Sequence, residues 1–347
     1  MPLYAVVVLT AAAVALAATP VVSRIASKTG ALDKPNERKV HKKPIPRIGG
    51  LAIYSAFLVA SVLTLFFMDY SLGTEALVIS FGLLLCATLT MLLGLYDDYK
   101  DMPARWKFLG QIAIASILVV LFDVRIDFIS DPFGDYIYLE WFAVPATIFW
   151  LVGITNTVNL IDGLDGLAAG VCAIAAFTIM LVAANDNSVL VAIFTAAITG
   201  AALGFLFYNF NPASIFMGDC GALFLGFTLA AISVIGSVKS AATITLLVPI
   251  LALGIPILDT TFAIIRRVRG HVPIFKPDKG HLHHRLLALG FTQRQAVLLV
   301  YVISALLGLS AVALTEVSFN AAIIILFIVA VLIILGAKKI GIFSSSF

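Results

Sequence analysis

Residues 156–170 read Asn-Thr-Val-Asn-Leu-Ile-Asp-Gly-Leu-Asp-Gly-Leu-Ala-Ala-Gly. Asn156, Asn159, Asp162 and Asp165 recur at three-residue intervals, with a glycine after each aspartate. Residues three apart share roughly one helical face, so a helix ending here presents two amides and two carboxylates together. Apolar runs flank the stretch at 141–155 and 167–184. Polar groups beside a bilayer are costly unless they bind something. Asn, Asp and Gly also favour ordinary turns, but a plain turn needs no regular spacing across 156–165. The stretch reads as a site for a cation and a polar ligand.

Four other segments carry residues of matching chemistry. Asp97-Asp98-Tyr99-Lys100-Asp101 closes an apolar run and is followed by Lys107 and Gln111. Adjacent carboxylates repel unless a cation or proton intervenes, and Mg²⁺ takes one or two carboxylates plus ligand phosphates. Residues 208–221 contain Asn209, Phe216 and Asp219, the last where a helix begins. The positive dipole there suits phosphate or a carboxylate-bound metal. Phe216 has the shape to stack on a base, although a Phe in such a chain is more often core or lipid-facing.

The run 277–286 holds His281, His283, His284 and Arg285, with Arg266, Arg267 and Arg269 shortly before. No Cys or Glu completes a zinc set. Imidazoles and guanidiniums opposite an acidic cluster suit phosphates or proton transfer instead. Residues 38–50 are basic and stiffened by two prolines, which fits an anchor at anionic headgroups as well as a ligand contact. Arg47, between Pro46 and the Gly49-Gly50 pair, is the candidate for contact. Asp259 lies inside an apolar run and is a functional candidate by position, or a partner for a neighbouring loop.

The elements that must position these groups follow from composition. The 347 residues are 61% apolar and 12% charged, with mean hydropathy +1.09, which excludes a soluble domain and gives an all-α polytopic membrane protein. Cys86, Cys172 and Cys220 lie too far apart for a CxxC site and suggest no disulfide framework. The first run, 3–22, has its positive charge after it, the reverse of a signal peptide, and reads as a retained helix. At about 20 apolar residues per span there are about eleven. They lie at roughly 3–23, 50–68, 75–95, 108–123, 141–157, 166–184, 188–207, 219–237, 241–265, 295–314 and 319–337.

Alternating the loops puts 24–49, 96–107, 158–165, 208–218, 266–294 and the tail on one side. That side holds all of the 22 Lys and Arg except Arg125 and Lys239. By the positive-inside rule it is cytoplasmic, with the N-terminus outside and the C-terminus inside. A small outer hairpin is expected near 126–139, around Pro132-Phe133-Gly134. The chain reads as one integral-membrane domain, 1–347, whose working loops (38–50, 96–111, 156–170, 208–221, 266–294) are cytoplasmic.

Acids for a divalent cation, bases for phosphates, amides for a base or sugar, and a bilayer at hand together suggest phosphoryl transfer from a soluble donor to a lipid. The rival from another class is an ion-coupled transporter. A carrier places its acids near mid-membrane, whereas here all inner acids but Asp259 sit at span ends.

These segments resemble the polyprenyl-phosphate N-acetylhexosamine-1-phosphate transferases, over nearly the whole chain. The resemblance is carried by Pro-Ile-Pro-Arg-Ile-Gly-Gly at 44–50, the Asp97-Asp98 pair, the 156–170 stretch, Gly218-Asp219-Cys220-Gly221 and His281-Leu282-His283-His284. The 278–286 run is similar to the branch using UDP-N-acetylglucosamine, which starts wall teichoic acid, O-antigen or enterobacterial common antigen synthesis. Residues 33–41 are most similar to its Gram-positive teichoic acid members.

The resemblance implies Mg²⁺-dependent attack by undecaprenyl phosphate on the β-phosphorus of UDP-GlcNAc, releasing UMP, at the cytoplasmic face of a bacterial plasma membrane, with Mn²⁺ as a substitute ion. It implies Asp219 and Asp98 as metal ligands, with Asp97 and Asp98 sharing deprotonation and metal holding. His281 joins them as a catalytic group. Arg47, Lys107, Asn156, Asn159, Asp162, Asp165, Asn209, Phe216, His283, His284 and Arg285 would bind substrate, with Asn209 and Phe216 at the uracil. UDP-MurNAc-pentapeptide is the alternative donor. The expected partners are the two substrates, the bilayer and a second copy of the chain, with no nucleic acid. One departure is Ala222, where the family usually has Ser.

Overall fold

A computed structural model describes residues 2–33, 44–68, 73–130, 136–239, 247–271 and 280–339. The apolar runs fold as helices, because within lipid a chain must satisfy its own backbone N–H and C=O groups. They are α1 (Pro2–Thr29), α2 (Gly50–Met68), α3 (Thr74–Lys100), α4 (Ala104–Leu121), α5 (Ala143–Ile161), α6 (Leu167–Asn185), α7 (Val189–Asn209) and α8 (Gly218–Lys239). Then follow α9 (Leu247–Ala252), α10 (Gly254–Arg269), α11 (Leu282–Ala288), α12 (Gln293–Glu316) and α13 (Phe319–Lys339). Among the described residues, 10 helices are long and apolar enough to cross a membrane, α1 to α8 with α12 and α13. The chain is a multi-pass, all-α membrane protein.

The span expected at 241–265 is interrupted. Residues 247–265 divide between α9 and α10 at Leu253, and 241–246 lie outside the described residues. Pro256 supplies the reason, since it has no N–H for the carbonyl four residues earlier and its ring crowds that turn.

The bundle is layered around α6, α7 and α8, whose apolar windows are 78%, 83% and 94% buried, whereas that of α13 is only 11% buried. Lipid supplies no hydrophobic push between helices, so close contact depends on small residues and packing. Gly50 at the start of α2 lies on Gly221, and Gly94 of α3 lies on the backbone of Asp219 and Cys220. A methyl at either position would collide with main chain. The first turn of α8 is thereby gripped by α2 and the end of α3.

Two short antiparallel ladders complete the fold. β3 (Phe128–Ser130) pairs with β4 (Tyr136–Tyr138), with Ile129 opposite Ile137, which is the hairpin expected near 126–139; residues 131–135 lie outside the described residues. β1 (Leu32–Asp33) pairs with β2 (Ile45–Pro46). The chain after β2 is stitched to the 216–217 segment. Phe216 N–H donates to the Pro46 carbonyl (2.7 Å), Gly49 N–H to Phe216 (2.9 Å) and Gly50 N–H to Met217 (2.7 Å).

Candidate active site

The chain from β2 to α2, the C-terminal turn of α3, the first turn of α4 and the N-terminus of α8 converge on one cluster of charges. Asp98 is buried at the end of α3. Its Oδ1 accepts from Asp219 N–H (2.9 Å) and its Oδ2 from Cys220 N–H (3.0 Å). These are orphan donors of the first helical turn, so Asp98 caps α8 from another helix. Arg47 Nε and Nη2 each lie 3.2 Å from the same Oδ1. Gly218, with φ +73, occupies the corner, where a side chain would strike the Arg47 carbonyl and the Asp98 carboxylate.

Asp219 therefore points from a fixed helix end. Its Oδ1 accepts from Lys107 Nζ (2.7 Å) and Asn159 Nδ2 (2.5 Å), while Oδ2 faces Arg47 Nη2 at 3.9 Å. Lys107 Nζ also reaches Asp97 Oδ2 at 2.8 Å, bridging two carboxylates that would otherwise repel. The other Asp97 oxygen accepts from Met102 N–H (2.6 Å), which closes the turn after α3. Burial opposes the Arg47 charge, but Asp98, Asp219 and Asp101 outweigh it and hold its pKa above the ordinary value.

Asn159 joins this cluster directly, and Asn156 lies one turn below it on α5. The Asn156 amide donates to Gln111 Oε1 (2.5 Å) and to the Val152 carbonyl (2.8 Å). Asp162 follows α5, and no hydrogen bond holds its side chain among the described residues. Its surroundings push its carboxyl up to about 8, by desolvation first and then by Asp219, Asp98 and Asp165.

Asp165 and Asn209 have different duties. Asp165 Oδ2 accepts from Asn211 Nδ2 (2.9 Å) and Ala213 N–H (3.1 Å), tying the turn between α5 and α6 to the loop before α8. Asn209 accepts from Gly166 N–H (3.1 Å) and donates to the Ile215 carbonyl (2.9 Å), so both ends of its amide are engaged by backbone. Phe216 is half-buried, and its backbone anchors the segment carrying Arg47.

The histidine segment approaches from the far side of α5. His283 is buried over Gly163, the residue after Asp162. His281 is also buried and stacks parallel to His283, with ring centroids 5.9 Å apart, while His284 is exposed. Burial, reinforced by His284 and His281, pushes His283 down to about 4, so its ring is neutral at pH 7. Arg285 is buried and donates to the Gly280 carbonyl (3.0 Å). Of the loop expected at 266–294, residues 272–279 lie outside the described residues.

With this geometry established, the comparisons acquire meaning. A model of glycosyl transferase family 4 matches residues 80–237, the segment from α3 to α8. A Bacillus subtilis (strain 168) protein named "Probable undecaprenyl-phosphate N-acetylglucosaminyl 1-phosphate transferase" is 43% identical over 95% of this chain and 90% of its own length. The chain belongs to the polyprenyl-phosphate N-acetylhexosamine-1-phosphate transferase family. A Mycolicibacterium smegmatis decaprenyl-phosphate N-acetylglucosaminephosphotransferase is 40% identical over 86% of this chain and 78% of its own. The Escherichia coli (strain K12) undecaprenyl-phosphate alpha-N-acetylglucosaminyl 1-phosphate transferase is 28% identical over 82% and 77%.

Within this transferase framework two residues gain weight beyond their reading in sequence. Gln111 is buried against Asn156 on the cluster side of α4, one turn after Lys107, a spacing visible in the chain. Tyr301 of α12 donates to the Gly166 carbonyl (2.5 Å), and no local pattern around it signals that contact. Ala222, the departure from the family's usual Ser, is fully buried in α8.

Among the described residues, no group of three or more His, Cys, Asp and Glu is arranged to hold a metal. The donor set fits a hard cation that keeps most of its ligands as phosphate and water. Asp219 Oδ2 lies 3.9 Å from Arg47 Nη2, beyond hydrogen-bond distance. Asp162 stands among carboxylates that disfavour its ionisation unless positive charge arrives.

Proposed function

We propose that the protein transfers N-acetylglucosamine-1-phosphate from UDP-N-acetylglucosamine to undecaprenyl phosphate at the cytoplasmic face of a bacterial membrane, with Mg²⁺. The observation that carries this reading is the bonded group of Asp97, Asp98 and Asp219 with Arg47, Lys107 and Asn159, all at helix ends of a multi-pass bundle. The activities for which the relatives are named agree with it. The Lys and Arg distribution supports the cytoplasmic face.

The acceptor phosphate has a second pKa of about 6 and is already nucleophilic at neutral pH, so no strong base is required. Its oxygen bonds to the β-phosphorus of the donor. The bond from that phosphorus to the bridging oxygen breaks, and its electron pair leaves on UMP. What the chain contributes is positioning and charge. Arg47 and Lys107 supply fixed positive charge to the phosphates, and Asn159 fixes the aim of Asp219. His281 and its neighbours close the opposite side, towards the donor. Asp219 and Asp162 would hold Mg²⁺, which when bound spreads the phosphate charge; Mn²⁺ meets the same oxygen ligands. Asp98, with its oxygens taken by the α8 backbone and Arg47, acts as the mount for Asp219.

The test is UMP release by purified protein in detergent with undecaprenyl phosphate, with and without Mg²⁺. UDP-GlcNAc, UDP-GalNAc and UDP-MurNAc-pentapeptide are compared as donors. Release from UDP-GlcNAc alone, dependent on lipid and metal, is expected. Release from UDP-MurNAc-pentapeptide instead would overturn the donor assignment.

A further inference from the structure

The pairing of Asp259 with His281 is not explained by folding alone. Asp259 sits in α10, buried, and its Oδ2 lies 2.8 Å from His281 Nδ1. Its Oδ1 accepts from Leu282 N–H (2.7 Å), the first residue of α11, for which His281 is the N-cap. One carboxylate thus fixes both the imidazole and the backbone that carries it. A buried acid with two directed bonds to consecutive residues is costly to maintain unless the orientation it imposes has use.

We infer that Asp259 is a positioning residue, which holds the His281 ring with Nδ1–H directed at the carboxylate and leaves Nε2–H to donate to a phosphate oxygen of the nucleotide donor. This rests on the transfer reading, in which the histidine segment faces the donor phosphates. A carboxylate at Nδ1 accepts from the ring, so an imidazolium there has Nε2–H left to donate to an anion. His283, stacked on His281 and held neutral by burial, adds no competing charge beside it.

Asparagine at 259 keeps the shape and an acceptor for Leu282, but its amide donor faces Nδ1, which then carries no proton, so the ring meets the phosphate as a neutral donor and not as a cation. The test is a double-mutant cycle of Asp259→Asn and His281→Gln, followed by two readouts on full-length protein in detergent: UDP binding with Mg²⁺ by calorimetry, and kcat/KM for UMP release. Each single variant is expected to lose about tenfold in both readouts. The double variant should lose no more than His281→Gln alone, because Asp259 acts through the ring. Multiplied losses, or Asp259→Asn at wild-type level beside an impaired His281→Gln, would overturn the inference.

Should Asp259→Asn fail to give a cooperative melt, Asp259→Glu, which keeps the charge but displaces it, takes its place in the cycle. Non-additive losses again support the pairing, and multiplied losses again overturn it. The binding readout separates this inference from the transfer reading. A protein that turns over no donor yet shows the non-additive cycle in UDP binding defeats the transfer and keeps the pairing.

Discussion

The acids at the end of α3 and those around the start of α6 and α8 look equivalent in composition but differ in what their oxygens do. Asp98 gives both oxygens to the α8 backbone and to Arg47, and Asp97 gives one to the Met102 N–H and the other to Lys107. Asp219 Oδ2 faces a guanidinium 3.9 Å away, beyond hydrogen-bond distance, and Asp162 has no bonded partner among the described residues. Under the proposed transfer, the first pair is the framework that aims and the second is the surface that receives. A carboxylate's identity does not assign its role. The inventory of donors around it does.

Substitutions at the receiving acids should give the largest effects on turnover and the smallest on folding. Asp219→Asn removes the charge that the proposed transfer sets against cation and phosphates, while keeping the acceptor for Asn159. UMP release should fall by about 10³-fold, the scale of losing a main electrostatic contact at the reacting centre, with the melting temperature in detergent unchanged. Near-normal release across a Mg²⁺ titration would place the reactive acid elsewhere.

Gly218→Ala probes the mount without touching a charge. At φ +73, with the Arg47 carbonyl and Asp98 carboxylate where the methyl would go, the α8 corner must shift. A displacement of about 1 Å at a reacting centre costs on the order of 10²-fold. Steady-state kinetics should show that loss in kcat/KM.

Asp98 sharpens the comparison most. Asp98→Ala orphans two backbone donors and strips Arg47 of its nearest partner, which should destabilise by about 2 kcal/mol. Asp98→Asn keeps one acceptor and should lie between Ala and wild type in both melting temperature and rate. A variant Asp98→Asn that melts like wild type but is inactive would make Asp98 a participant in the chemistry.

A pH dependence concerns His283. Its folded pKa is about 4 against an ordinary 6.5, so the unfolded chain binds the proton more readily between those values. Stability from this group is complete above pH 6.5, declines as pH falls through that window and is gone below pH 4. Thermal melts from pH 7 to 4 should show that decline, and His283→Asn should flatten it.

Much of this organisation is legible in the residues themselves. Apolar runs near 20 residues declare spans, and the Asn156–Asn159–Asp162 spacing announces a polar face at a helix end. The small hairpin follows from alternation around 126–139. What the chain hides is long-range pairing. Asp98 meets the amides of residues 219 and 220, and no local pattern around an Asp-Asp pair indicates a remote helix to cap. Asn209 and Asp165 sit where a ligand would be expected, yet their hydrogen bonds go to neighbouring loops, because buried backbone there has no other partner. The break at Leu253 is foreshadowed by Pro256, but continuous hydrophobicity conceals it.

The most direct measurement follows the β-phosphorus. UDP-GlcNAc carrying ³²P in the β-position is incubated with the protein, Mg²⁺ and undecaprenyl phosphate, and the label is partitioned between organic and aqueous phases. Phosphoglycosyl transfer predicts that label enters the lipid fraction in equal amount to the UMP released, and that the UMP is unlabelled. Label retained in water-soluble UDP, with the sugar alone on the lipid, would contradict the account.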